Sequence, residues 1–233
     1  MAILVLLLPL FAWQRRRRGD GGLKRVAQDG GSVLLSQWIM EYGYWLMTPV
    51  VALSLALNLH PSSITLFGLA LVGLGSCLVA VGQLGLGGVL LVLGATADMV
   101  DGVVARRRQL SSEAGEFVDA VADRYGDMLP FAGLAVYYGA QPLALSAVML
   151  GLLGSVGVSY ARAKAESLGV HDAPRGTMRR AERAVYLSFG TLLAPVLSAY
   201  PLVPSICTVI GLGANISALQ ICRHTSRTLR ARG

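Results

Sequence analysis

Beyond residue 60 the chain alternates long apolar runs with short breaks. Six apolar segments occupy roughly 62–83, 86–107, 113–139, 143–168, 182–199 and 203–225. Each is near the ~20 residues that an α-helix needs to cross hydrocarbon. The pattern predicts an all-α integral membrane fold with six transmembrane helices. Ahead of them, Ser32 to Leu59 mixes Trp38, Tyr42, Tyr44, Trp45 and Glu41 with apolar residues. Trp and Tyr favour the headgroup level, which predicts a juxtamembrane amphipathic helix along the interface; a true span from Tyr44 to Leu57 is the second reading. His60-Pro61-Ser62-Ser63 breaks this helix and offers hydroxyl caps to the next. Residues 1–13 are apolar but too short to span, and Arg15–Arg18 follows them, whereas a signal peptide carries its positive charge first. This segment reads as a surface-lying or disordered extension, and Gly19 to Gly31 as a flexible linker. The expected organisation is an extension and linker over 1–31, the interfacial helix over 32–60, a six-span domain over 61–226 and a basic tail over 227–233.

Composition sharpens this picture. Of the 233 residues 54 % are hydrophobic and only 14 % are Asp, Glu, Lys or Arg, against ~25 % in a typical soluble domain. The net charge is +7, and its distribution orients the spans. No charge falls between Ser62 and Ala97, between Met128 and Ala161, or between Ala184 and Ile221. The turns near Gly82–Gly85, Gly139–Pro142 and Tyr200–Pro201 are therefore uncharged. The opposite turns hold Arg106–Arg108, Arg162, Lys164, Arg175, Arg179, Arg180 and Arg183, and the tail adds Arg223, Arg227, Arg230 and Arg232. The positive-inside rule puts that side, and with an even number of spans both termini, in the cytoplasm of a cell whose inner membrane holds the protein. A nucleic-acid partner is not needed to explain the basic balance. Cys77, Cys207 and Cys222 are scattered and show neither a disulfide framework nor zinc spacing. Gly-rich runs such as Gly85–Gly88 and Gly211–Gly213 suit close approach of helices in lipid.

One stretch departs from the apolar background. ADMVDGVVARRRQLSSEAGEFVDAVADR runs from Ala97 to Arg124. Asp98 and Asp101 are three apart on the first half; Gly115, Asp119 and Asp123 recur every four on the second. On helices this spacing puts each Asp pair on one face. A carboxylate near the bilayer centre costs ~2.5–3.5 kcal/mol on insertion scales, and four together repel one another. They are tolerable if they face a wet cavity and hold cations. An oxygen-only set without His or Cys suits a hard ion, Mg²⁺ or Mn²⁺. Gly102, Ala105 and Gly115 leave room beside the acidic faces. Such an arrangement suits a two-metal site that clamps a pyrophosphate for in-line displacement.

Asp98-x2-Asp101-Gly102-x2-Ala105-Arg106-x8-Gly115-x3-Asp119-x3-Asp123 resembles, position for position, the signature of the CDP-alcohol phosphotransferase family. The six-span layout extends the likeness over about residues 33–226. The resemblance implies two divalent metals among Asp98, Asp101, Asp119 and Asp123. It implies a CDP-linked lipid donor, usually CDP-diacylglycerol, whose β-phosphorus is attacked by an alcohol as CMP leaves. It makes Asp123 the general base. It assigns Gly102, Arg106, Ser112 and Gly115 to the CDP-lipid site, together with Ser62, Ser63, Ile64 and Thr65, although HPSSIT departs from the family's frequent Asn or Asp after the Pro. It also implies a homodimer.

The acceptor is read from a basic constellation. Ser159-Tyr160-Ala161-Arg162-Ala163-Lys164-Ala165-Glu166 ends the fourth segment, Arg179-Arg180-Ala181-Glu182-Arg183 opens the fifth and Arg223 lies near the end of the sixth. Several cations near a carboxylate centre suit a phosphorylated acceptor rather than a neutral alcohol, although any one of them also serves as an anchor to anionic headgroups. Within the family these motifs are most similar to the phosphatidylinositol-phosphate synthases. That likeness makes Arg162, Arg183 and Arg223 ligands of an acceptor phosphate, with inositol 1-phosphate as the acceptor. Arg162 replaces a common Lys, and the register of Arg223 is off by one or two residues. A phosphatidylglycerophosphate synthase or another family member is the alternative. A transporter with a buried Asp ion site is the alternative from another class, but it would not need the Gly102, Arg106 and Gly115 spacing, and no inverted repeat is visible.

Overall fold

The computed structural model describes residues 37–108, 112–174 and 176–232. The amino-terminal extension, the linker and the first residues of the interfacial segment lie outside them, as does Arg175. The described residues form seven α-helices and no strand: α1 Gln37–Ala56, α2 Pro61–Ala80, α3 Leu84–Arg108, α4 Glu113–Tyr137, α5 Pro142–Ser167, α6 Arg180–Leu197 and α7 Ala199–Arg230, with a non-helical break at Tyr200.

Local chemistry explains the boundaries. Pro61 and Pro142 sit in the first turns of α2 and α5, where the missing N–H deprives no carbonyl of a partner. The expected hydroxyl cap of α2 is corrected: His60 is the N-cap, and its Nδ1 accepts from Ser62 N at 3.3 Å. Ser62 and Ser63 are already helical. The hydroxyl cap occurs instead at α4, where Gly115 N donates to Ser112 Oγ at 3.1 Å, with Glu113 and Glu116 in the positive first turn. At α6 the backbone N–H of Arg179 donates to Glu182 Oε2 at 2.7 Å, a reach-back that fixes the helix start.

The chain divides after Leu59, and α1 is a unit by itself. It carries Pro49, and its Tyr42 and Trp45 rings stack with centroids 6.0 Å apart. From His60 onward the six helices close a ring. α2 packs on α3 and α4, α3 on α6, α6 on α7, α7 on α5, and α5 on α4. The interior is filled by Val72, Val79, Leu91, Phe131, Leu134, Val148, Leu187 and Ile210, all buried. Small residues set the helix spacing: a Cβ on Gly94 would stand 2.9 Å from the Gly68 carbonyl, and one on Gly87 2.8 Å from that of Gly75. The outer surface is apolar, with Phe67, Leu143, Leu153, Val196 and Leu212 exposed. Four helices, Pro61–Ala80, Leu84–Arg108, Pro142–Ser167 and Tyr200–Arg230, are long and apolar enough to cross a membrane. With an apolar exterior of this kind the protein is a multi-pass membrane protein. Among the described residues α4 and α6 do not reach that standard, because they carry the charges of the site.

Candidate metal and substrate site

α3, α4 and α6 bring their charged ends together. Asp98 is contributed by α3, and Asp119, Asp123 and Asp127 by successive turns of α4. A carboxylate oxygen from each of Asp98, Asp119 and Asp123 lies within 4.8 Å of the others. That is close to the span of two oxygens around a small divalent ion at ~2.1 Å from each. The fourth predicted ligand, Asp101, is buried and turned to α2, where Thr65 Oγ1 donates to its Oδ2 at 2.6 Å. Thr65 thus ties the HPSSIT segment to the acidic helix.

The guanidinium of Arg180 stands among these carboxylates. Its Nη1 is 2.7 Å from Asp123 Oδ2, its Nη2 3.3 Å from Asp98 Oδ1 and its Nε 3.2 Å from Asp127 Oδ1. One turn further along α6, Arg183 Nη2 donates to Asp127 Oδ2 at 3.1 Å. Asp127 is therefore a half-buried bridge between two cations. The guanidinium stands where a cation is wanted, so the residues fit divalent metal: an all-oxygen donor set, negatively charged and already gathered around positive charge.

A cavity of about 300 Å³ opens beside this cluster, lined by Thr65, Asp98, Asp127, Ser155, Arg180 and Arg183 among apolar residues of α2 to α6. Gly126 and Pro130 also line it. Pro130 has no N–H to donate to the carbonyl four residues back, so α4 runs through the cavity wall with one backbone donor missing. Ser155 Oγ and Arg183 Nε are buried and have no hydrogen-bond partner among the described residues.

Other predicted residues do not line this cavity. Arg162 Nη2 donates to the Pro174 carbonyl at 2.9 Å and so ties down the loop between α5 and α6. The same loop is held to α7, where Thr177 N donates to Ser217 Oγ at 2.9 Å and His224 Nε2 lies 3.2 Å from Asp172 Oδ2. Arg223 is exposed on α7. Arg106 lies over Gly102, whose added Cβ would meet Arg106 Nη1 at 3.3 Å. Ser112 and Gly115 face each other as cap and first turn. Ser62 is half-buried, Ser63 exposed and Ile64 buried at the start of α2.

Sequence reasoning missed Asp127, Arg180 and Ser155 as site residues. Two of them had a signal. Asp127 continues the four-residue recurrence of Asp119 and Asp123, and Arg180 is three residues from Arg183, on its face of the helix. Ser155 had none, because a lone Ser in an apolar helix usually bonds its own backbone.

A ring of apolar helices around an oxygen-only carboxylate centre, with guanidiniums on its wall, defines a membrane-embedded enzyme that handles phosphate esters through metal. Residues 58–217 match the CDP-alcohol phosphatidyltransferase family, and the chain belongs to it. It is a divalent-metal-dependent transferase of that class. An uncharacterized protein of Aquifex aeolicus is 39 % identical over 201 residues, which cover 85 % of this chain and 98 % of that one. The phosphatidylinositol phosphate synthase of Mycolicibacterium smegmatis is 35 % identical over 161 residues, 67 % of this chain and 72 % of that one. Among solved structures, Mycobacterium tuberculosis phosphatidylinositol phosphate synthase in complex with manganese and citrate superposes with a TM-score of 0.68 at 26 % identity, over 77 % of this chain and 88 % of that one.

Proposed function

We propose that this protein transfers a phosphatidyl group from CDP-diacylglycerol to a phosphorylated polyol, inositol 1-phosphate, and releases CMP. The observation that carries the reading is the place of Arg183 beside the acidic cluster: a buried guanidinium with an unspent Nε lines the same cavity as Asp98 and Asp127. A buried donor left without a partner costs about 1–3 kcal/mol, and an anionic oxygen supplies one. The relatives named above as phosphatidylinositol phosphate synthases support the same acceptor.

Asp98, Asp101, Asp119 and Asp123 would hold the metal, which when bound neutralises the pyrophosphate and the charge that develops in displacement. Asp101, held by Thr65 through Oδ2, would be the fourth carboxylate of that set. Asp123 takes the proton of the acceptor hydroxyl as the oxygen bonds to the β-phosphorus and the bond from that phosphorus to CMP breaks. Gly102 and Arg106 lie together on α3 and take the CDP portion, with Ser112, Gly115 and the Ser62–Thr65 turn around it. Arg183 binds the acceptor phosphate. Arg162 supports the loop that leads into α6, and Arg223 meets solvent or headgroups.

The six ring helices are read as six spans, residues 32–60 as a juxtamembrane interfacial segment ahead of them and 61–226 as the catalytic domain. The basic ends of α3, α5 and α7 support a reading with the site and both termini on the cytoplasmic side of the inner membrane. The family resemblance supports a homodimer in contact with membrane lipid as part of the same reading. The test is a panel of acceptors, inositol 1-phosphate, glycerol 3-phosphate, free inositol and serine, assayed for CMP release from CDP-diacylglycerol. Preference for inositol 1-phosphate is expected; preference for free inositol overturns the role given to Arg183.

A further inference from the structure

Arg180 makes two kinds of contact. Its Nη atoms face Asp98 and Asp123, which are candidate metal ligands, at 3.3 and 2.7 Å. Its Nε faces Asp127 Oδ1 at 3.2 Å, and Asp127 is not part of the group of carboxylates close enough to share an ion. Oxygens that carry a divalent ion at ~2.1 Å cannot keep a guanidinium at hydrogen-bonding distance on the same side, because two cations that close repel strongly in a partly buried site. The Arg180 side chain is long, about a third of it is exposed (34 %), and it lines the cavity. Asp127, with its side chain only 9 % exposed and clamped from the other side by Arg183, is a fixed anchor for Nε.

We propose that Arg180 is a positioning residue of the acidic centre: it holds Asp98 and Asp123 together as their counter-cation and yields them to divalent metal while staying hinged on Asp127. The proposal rests on the metal reading above. It implies that Arg180 opposes metal binding in the enzyme without substrate, and that every ion taken up works against one internal positive charge. An arginine serves here better than a lysine because its fork spans two carboxylates while Nε holds a third.

The test uses the full chain in detergent and the metal alone. Mn²⁺ affinity is measured by the loss of the free-ion electron paramagnetic resonance signal for the unmodified chain, Arg180→Gln and Arg180→Lys. Arg180→Gln is expected to bind Mn²⁺ about tenfold more tightly, a change of ~1.4 kcal/mol, because removing a nearby positive charge relieves its repulsion of the ion. Its thermal midpoint should also rise more on adding Mn²⁺ than that of the unmodified chain, because the uncompensated carboxylates gain more from the ion. Arg180→Lys keeps a point charge and should tighten Mn²⁺ binding by less. A purely structural role would weaken Mn²⁺ binding in the same variants. Equal or weaker affinity in Arg180→Gln overturns the proposal; should that variant not fold, equal or weaker affinity in Arg180→Lys does so. Failure of the unmodified chain to bind Mn²⁺ overturns the metal reading itself.

Discussion

Nη1 of Arg180 lies 2.7 Å from Oδ2 of Asp123, so the carboxylate assigned as general base on α4 is paired with a cation from a helix that begins 57 residues later in the chain. The pairing makes Asp123 the junction of two demands, charge balance within the ring and proton transfer at the reacting hydroxyl. Asp123→Asn keeps the size of the side chain and removes its charge. It is expected to abolish CMP release while binding of CDP-diacylglycerol stays measurable by equilibrium dialysis. Near-normal turnover would reject Asp123 as the base.

Chelation addresses the cluster as a whole. Stripping divalent ions from the purified enzyme should stop CMP release, and adding back Mg²⁺ or Mn²⁺ should restore it. Ca²⁺, larger and content with looser coordination, should restore less. Full activity after exhaustive chelation would mean that the carboxylates serve another purpose.

Arg183 and Arg162 are predicted alike from their spacing, yet their surroundings separate them. Arg183→Lys keeps the charge beside Asp127 but loses Nε. It should raise the KM for the phosphorylated acceptor about tenfold, roughly one charge-assisted hydrogen bond, and leave the KM for CDP-diacylglycerol unchanged. Arg162→Ala removes the bond to the Pro174 carbonyl and should lower the thermal midpoint with little change in acceptor KM. The reverse pattern would move the acceptor phosphate to Arg162.

Thr65 offers a test of the link between α2 and α3. Thr65→Val preserves shape but leaves the buried Asp101 carboxylate without its donor at 2.6 Å, a loss of about 1–3 kcal/mol. Thermal unfolding without metal should show the full loss, and saturating Mn²⁺ should recover part of it if Asp101 then becomes a ligand. No recovery would exclude Asp101 from the metal set.

Gly133 probes the packing of the ring. A Cβ there would be driven into the Ser76 carbonyl of α2, so Gly133→Ala should destabilise the protein by about 1–3 kcal/mol through overpacking. Gly73, which has open space around its would-be Cβ, should tolerate the same change. Equal effects at both sites would show that the α2–α4 contact has slack enough to admit a methyl group.

Much of this protein is legible one segment at a time. The six apolar runs match the six ring helices to within a few residues at most ends, because hydrophobic length and the Pro, Gly and Ser breaks are local properties. The recurrence of Asp98, Asp101, Asp119 and Asp123 reads as acidic faces because helical period converts spacing into direction without reference to the rest of the chain. What spacing cannot supply is a partner. Arg180 meets Asp98 across 82 residues and Asp127 across 53, and Thr65 meets Asp101 across 36. Those pairings exist only once the ring has closed and fixed which helix faces which. The same closure turns Arg162 to a loop carbonyl and Arg183 into the cavity. The motif alone determined the family and its acidic centre; tertiary packing decided which cations attend it, because electrostatic neighbours are chosen by the contact between helices and not by the period within one.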